Sequence, residues 1–560
     1  MCQKTVKTVE QKPGIDLDRI LLEEIGNGKY QLRAVAPCGL AAFLVGYSIM
    51  GYLFTAARTK TRCFIPECDN DAEPSLTPPW ISEAIPMSGD SYDNCHRFAS
   101  APQNTTGTCS SNLFDRSTVV KCTQYVYENK NSAVYDFDLA CDEWRWFIIG
   151  SSLVVGSAIS LNICGYVSDR WGRRAAITFT SANYAWINIM TYWANSYTTF
   201  VLCGFLGRLF GAGVFVCCNI LVLEHVGCKH RMVAGSIMST CMALGTAVQG
   251  LVASSELHWR HLVLIFHVPL FISASFYWIL PESVRWLISK DRINEAKKML
   301  IKAADTNGKT LSDNTLKSFS EEIIRRNAEE EKNDGNLLCL VFKHKTVLLH
   351  CIIAPIWWIS VLFVTQGMAI TSVNISGNRY LNYSAVALVA IPGVWSVTFF
   401  IDKLGRKPIL IGGFWASGAC QLGYIFVPKG YYNISLALYL LGRFFMAGVM
   451  TLTFVYTSEL MPTRYRSRLS TFFSSVGRIG AFVAPLTPAL ATEVWEHLPF
   501  VLFGGMAFFS GLLVLLTPEN LGSTLPESME DANNLGKDQP SLLRSFTTKL
   551  FKRRQSYSLE

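Results

Sequence analysis

The chain is 560 residues long, half of them apolar, with a mean hydropathy of +0.25 and a net charge of +8. That is too apolar for an ordinary soluble chain of this length, and long apolar runs imply a membrane. The basic residues cluster at span ends, with no stacking module or extended basic face, which reads as topology and excludes nucleic acid as a partner. There is no phosphate loop, nucleophile elbow or His/carboxylate metal motif, so neither an enzyme nor a metal or cofactor is expected.

In chain order, residues 1–34 are expected to be a cytosolic tail without a cleavable signal sequence, with amphipathic helical spacing over 17–25. A hydrocarbon core of about 30 Å needs roughly 20 apolar residues per helix. Spans 1 to 6 are then predicted at 35–55, 146–168, 175–195, 199–222, 232–254 and 260–280. Spans 7 to 12 are predicted at 347–370, 381–401, 408–428, 433–456, 468–490 and 498–516. The 56–143 loop holds Cys63, Cys68, Cys95, Cys109, Cys122 and Cys141. An even number in an oxidising compartment points to three disulfides, with the connectivity open. Residues 281–346 form a cytosolic insert with charged surface helices expected over 292–300 and 321–332, and 517–560 is a polar cytosolic tail.

The loops after even-numbered spans carry most of the Lys and Arg, whereas those after spans 3, 5, 7, 9 and 11 carry only Arg260, Arg379 and Lys429. The positive-inside rule then puts both termini in the cytosol and the cysteine-rich loop outside. The sequons at Asn104, Asn374, Asn382 and Asn433 all fall on that outer side and are candidate glycosylation sites.

The chain repeats itself. Asp169-Arg-Trp-Gly172-Arg173-Arg174 returns as Asp402-Lys-Leu-Gly405-Arg406-Lys407, 402 − 169 = 233 residues later. Arg208 returns as Arg443 and Glu224…Arg231 as Glu459…Arg466, both 235 apart; Pro281-Glu282 returns as Pro518-Glu519, 237 apart. Self-similarity of this kind sets the fold. The predicted class is an all-α membrane protein of twelve transmembrane helices in two pseudo-symmetric six-helix bundles. Gly172 and Gly405 permit a tight turn. Asp169 and Asp402 are expected to face a helix N-terminus or a basic partner across the interface between halves, with Glu224 and Glu459 near Arg231 and Arg466. Together with Arg173 and Arg406 they are the candidate gating charges.

Duplicated six-span halves with such turns resemble the major facilitator superfamily. Ile25-Gly-Asn-Gly-Lys-Tyr-Gln31, the cysteine-rich loop, Cys141-x-x-x-Trp-Arg, Pro281-Glu-Ser-Val-Arg-Trp-Leu287 and Thr457-Ser-Glu-Leu-Met-Pro-Thr463 narrow the resemblance to the solute carrier 22 group of organic cation, zwitterion and anion transporters. It covers nearly all of 15–525 and implies a plasma-membrane transporter, not an enzyme, that moves a small organic ion by alternating access. Oligomerisation through the extracellular loop is a further candidate interaction; the lipid bilayer is the surrounding partner.

An arginine inside a span costs roughly 2.5–3.5 kcal/mol and needs a partner or a wet cavity. Arg208 and Arg443 are repeat mates, which points to a shared structural task. Arg478 in span 11 is asymmetric, since 478 − 235 = 243 is an alanine. The resemblance implies an acid at this position in cation carriers and arginine in anion and carnitine-type ones; a second acid position before Pro392 holds Ala390. The lean is therefore toward organic anions or carboxylate-bearing zwitterions, with cations the alternative and a receptor or sensor of the same fold a second one. Trp358, Phe363, Phe215, Asn219, Gln366 and Gln249 are the other candidate substrate contacts, and Trp357 a candidate aromatic wall. No span has a clear mid-membrane Asp or Glu, which favours facilitated diffusion or exchange over proton symport.

Overall fold

The computed structural model describes residues 17–535 apart from 27, 70–73, 89–90, 102–108, 110–112, 228–229, 312–336, 376, 429, 463–464, 521–525 and 527–528. Asn104 and the helix expected over 321–332 lie outside the described residues. A helix occupies each of the twelve predicted stretches. The first six are α1 (Lys29–Ile49), α2 (Glu143–Trp171), α3 (Arg173–Met190), α4 (Tyr197–His225), α5 (Arg231–Ala253) and α6 (Trp259–His267, continued in short turns to Ile279). The second six are α7 (Lys345–Thr371), α8 (Arg379–Leu404), α9 (Arg406–Ile425), α10 (Tyr432–Leu460), α11 (Arg466–Val483) and α12 (Leu498–Val514).

Among the described residues, nine of these helices are long and apolar enough to cross a membrane unaided; α3, α9 and α12 are not. For α3 and α9 the reason is packing. Thr180, Ser181 and Asn188 of α3 and Ser417 and Gln421 of α9 are buried. Polar residues there bond to other helices or their own backbone, so average hydropathy understates how much of each helix is enclosed. The first helix also starts earlier than expected, at Lys29 instead of residue 35. Backbone hydrogen bonding does not stop where the apolar run does.

The described chain divides into two compact units: 31–225 with 241–286, and 17–30, 226–240 with 287–535. In the first, α1 and α5 approach so closely that a Cβ on Gly245 would strike the Phe43 carbonyl oxygen, and Thr246 Oγ1 donates to the Gly46 carbonyl at 3.2 Å. In the second, α7 and α11 repeat the arrangement: a Cβ on Gly480 would strike the Ile359 carbonyl. Gly245 and Gly480 are 480 − 245 = 235 apart, so the sequence repeat is a packing repeat. The start of α5 packs on α8 through Ser236 Oγ and Thr398 Oγ1, 2.7 Å apart, and a Trp395 Nε1 bond to Thr240 Oγ1 at 3.0 Å. The segment over 17–25 buries Ile20, Leu21 and Ile25, the expected apolar face, although 20–25 is wound as a π-helix. Pro392 lies inside an unbroken α8, while Pro485 ends α11 in a 3-10 turn.

The loop between α1 and α2 is a small cap on the first unit. Strands β1 (Thr61–Cys63) and β6 (Tyr125–Tyr127) pair antiparallel, as do β2 (Met87–Ser88) with β3 (Ser91–Tyr92) and β4 (His96–Ser100) with β5 (Phe114–Lys121). Three disulfides, Cys63–Cys122, Cys68–Cys109 and Cys95–Cys141, tie these short ladders together. Their core is small: Ile65, Ile81, Ala84, Ile85 and Phe114 with Cys63 and Cys122. The cap is anchored where Asp136 accepts from Trp259 Nε1 at 2.9 Å and Arg260 Nη1 at 2.8 Å. A core this size does not hold two-stranded ladders alone. Removing the buried Cys63–Cys122 bridge with serines should cost about 2–5 kcal/mol, read as a lowered unfolding midpoint of the purified protein. An unchanged midpoint would show that the cap stands without it.

Asn382, expected as a glycosylation acceptor, is only 1% exposed. Its Oδ1 accepts from Tyr432 at 2.7 Å, and its Nδ2, the atom a glycan would need, donates to the Ile375 carbonyl at 3.3 Å. That removes it as an acceptor, because a sequon says nothing of burial. Asn374 and Asn433 are exposed.

Candidate functional site

Two turns carry most of the charge expected to act in gating. In the first unit α2 ends at Gly172, whose φ of 101° is a conformation that side chains rarely adopt, and α3 starts immediately. Arg173 Nη1 donates to Asp169 Oδ1 at 2.8 Å and to the Ser168 carbonyl at 3.0 Å, and its Nε lies 3.5 Å from Glu224. Trp286 Nε1 donates to the Asp169 carbonyl at 2.9 Å. The second unit repeats this at Gly405, with φ 95°. There Arg406 lies 3.5 Å from Asp402 and 3.3 Å from Glu459.

Of the two partners expected for Asp169 and Asp402, a helix N-terminus or a base across the two halves, this geometry supplies the first, since Arg173 and Arg406 open α3 and α9. Each pairs with the arginine four residues later in its own unit, across the glycine turn that separates the two helices. Their side chains are 76% and 78% exposed, while the glutamates are covered, Glu224 at 15% and Glu459 at 4%. Arg466 Nη2 donates to the Met461 carbonyl at 3.4 Å, and Arg231 is the first residue of α5.

Two further acids belong to these turns and were not singled out as functional from sequence. Glu282 Oε1 accepts from the backbone N–H of Arg173 at 2.9 Å and of Ser283 at 3.0 Å. Glu519 accepts from the N–H of Arg406, Lys407 and Asn520, each at 3.0 Å. Each carboxylate satisfies the open donors at the start of α3 or α9, at the positive end of the helix dipole. Burial pushes the Glu282 carboxyl above its usual range, against the pull of those N–H donors. The signal was present as the repeated Pro-Glu pair, but its partner is 282 − 173 = 109 residues away, and spacing alone does not reveal that. A Cβ on Gly172 would collide with the Glu282 carboxylate. Gly172→Ala should therefore cost about 1–3 kcal/mol through backbone strain and a displaced cap. Gly165→Ala, with open space around it, is the control, and equal melting points for the two would dismiss the cap.

The candidate substrate contacts fall into both units. In the second, Trp358 is buried on α7, edge-on to Phe454 with centroids 4.3 Å apart, and a Cβ on Gly477 would lie 2.7 Å from Trp358 Cβ. Arg478 follows Gly477 directly, so it stands about 100° around α11 from that contact, half-buried beside the α7 seam. Phe363 packs on Phe503, with centroids 5.3 Å apart, and Trp357 lies 5.7 Å from Tyr456; both belong to the core of the unit, while Gln366 is half-buried on α7. In the first unit Phe215 and Asn219 are half-buried on one face of α4, four residues apart, and Gln249 is fully buried on α5.

Arg208 and Arg443 differ more than their repeat suggests. Arg443 Nη1 donates to the Thr365 carbonyl at 3.1 Å. Arg208 is 8% exposed, and its guanidinium lies 6.0 Å from the Tyr184 ring centroid, with a pocket beside it.

Residues 105–532 match the family model described as sugar (and other) transporter. The chain belongs to that family. It lies in the major facilitator superfamily and, within it, in the solute carrier 22 organic ion transporter group. It is 29% identical to rat solute carrier family 22 member 3 over 84% of this chain and 85% of the relative. It is 27% identical to the organic cation transporter protein of Drosophila melanogaster (91% and 93%) and 28% identical to mouse solute carrier family 22 member 7 (92% and 97%). The fold is that of the E. coli xylose transporter XylE in its inward open conformation, with TM-score 0.59, 16% identity, and 90% of this chain and 99% of that one covered. This family member is a multi-pass membrane transporter, not an enzyme.

Proposed function

We propose that this transporter carries small organic ions across the plasma membrane by alternating access, with both termini cytosolic, and that it prefers organic anions or carboxylate-bearing, carnitine-like zwitterions. The observation that carries the charge preference is the position of Arg478 on α11, directly after the Gly477 that packs on Trp358 of α7. A guanidinium grips a carboxylate through paired, charge-assisted hydrogen bonds, and an indole beside it covers the organic part. A bare cation is repelled at the same point. Phe363, Gln366, Phe215, Asn219 and Gln249 are the proposed further contacts. The extracellular cap is the proposed site of self-association.

The turn charges are proposed to gate. Because Asp169 is exposed and held only by a surface pair, Asp169→Asn should leave the fold intact. It should slow turnover by a few-fold, on the order of 1 kcal/mol, while substrate still binds. Unchanged initial uptake rates would remove the gating role.

Organic cations are the second reading, favoured by relatives whose names say cation transporter and by the aromatic pair Trp358 and Phe454. Uptake of a labelled aromatic carboxylate, a carnitine-like zwitterion and a quaternary ammonium into cells expressing the protein decides between them. Saturable uptake of the first or second and not the third is expected. Uptake of the quaternary ammonium alone would overturn the anion reading.

A further inference from the structure

Arg208 carries a buried positive charge that no acid among the described residues answers. It sits eleven residues into α4, close to the middle of a 29-residue helix, and is 8% exposed. Among the described residues it makes no ion pair, and its nearest recorded partner is the face of Tyr184, 6.0 Å away. A pocket opens beside it, and no Asp or Glu lines it. Besides Arg208, its polar groups are the side chains of Ser48, Tyr52 and Thr55 at and just after the end of α1, Ser152 of α2, Tyr184, Asn188 and Thr191 at and just after the end of α3, and His267 of α6; apolar residues such as Ile149, Leu153 and Val263 complete the walls. The repeat mate Arg443 is instead tied to a backbone carbonyl.

A guanidinium taken out of water and left uncompensated is costly, and truncating or pairing it is the usual resolution. Here the chain does neither, and it keeps the charge against a polar recess. We propose that this recess binds a small monovalent inorganic anion of chloride size, which completes the electrostatics of the first unit. One positive charge in a partly apolar pocket suits a single negative charge. Sulfate or hydrogen phosphate would bring a second negative charge for which no second cation lines the pocket. The site lies inside one helical unit and Arg478 belongs to the other, so the inference does not depend on which organic ion is carried.

The test uses the full chain, purified in gluconate buffer and titrated with sodium chloride at constant ionic strength, with the thermal unfolding midpoint as readout. A saturable rise with chloride is expected. Half-saturation should move up by about tenfold or more in Arg208→Gln and by much less in Arg208→Lys, which keeps the charge. A guanidinium that served packing alone would not be rescued by lysine in this way. If Arg208→Gln does not fold, Ser152→Leu, which crowds the pocket and leaves the arginine in place, must weaken the chloride response. No saturable rise in the wild type, or an equal rise in all variants, overturns the site. A parallel titration with benzoate separates the sources. An Arg208-dependent rise with benzoate and none with chloride would overturn the inorganic assignment and give the pocket to a substrate carboxylate.

Discussion

Arg478→Ala should cut carboxylate uptake by about 10- to 100-fold while the amount of protein at the cell surface stays near wild type. The magnitude follows from losing hydrogen bonds to a charged group, about 1.5–3 kcal/mol, at roughly tenfold per 1.4 kcal/mol. The residue follows Gly477, which lets α11 approach α7 at Trp358, so the arginine stands next to a packed seam. A lysine there keeps the charge but loses the planar fork, so Arg478→Lys should retain only part of the activity. Uptake and surface biotinylation measured on the same cells separate the possibilities. If both fall together, the arginine holds helices and does not read the substrate. If quaternary ammonium uptake rises as carboxylate uptake falls, the residue also selects against cations.

The second large effect is on stability. Glu459 is 4% exposed and sits 3.3 Å from Arg406, whose side chain is 9% exposed. Removing one member of a buried pair leaves the other charge uncompensated, so Glu459→Ala should cost about 3–5 kcal/mol. The equivalent Glu224→Ala should cost less, because Glu224 and Arg173 are each 15% exposed and water screens what remains. Asp402→Asn should cost about 0–1 kcal/mol, since that side chain is 78% exposed. Unfolding midpoints in detergent test the order. Combining Glu459→Ala with Arg406→Met should recover part of the loss, as coupled neighbours do. A fully additive double mutant would show that the two side chains act separately.

Much of the architecture was legible because it rests on short-range signals. An apolar run of membrane length, a glycine between a carboxylate and a basic pair, and repeats near 235 residues are properties of neighbouring positions, and the twelve helices follow from them. Span 1 began early and α3 and α9 proved more polar than a free-standing span. In these cases hydrogen bonding and packing overrode average hydropathy. Glu282 and Glu519 escaped notice as functional groups because a carboxylate capping a helix more than a hundred residues away leaves no local mark.

The sequence by itself determined the duplicated helical plan, the membrane setting, the six cap cysteines and the choice of Arg478 as the asymmetric charge. Only the tertiary structure decided which cysteines join, that Asn382 is buried, that Asp169 and Asp402 pair within their own units, and that Arg208 and Arg443 meet different surroundings. The physical reason is range. Helix formation and partition into lipid are sums over adjacent residues, whereas the partner of a charge or a thiol depends on which distant segments the packed helices bring within a few ångströms.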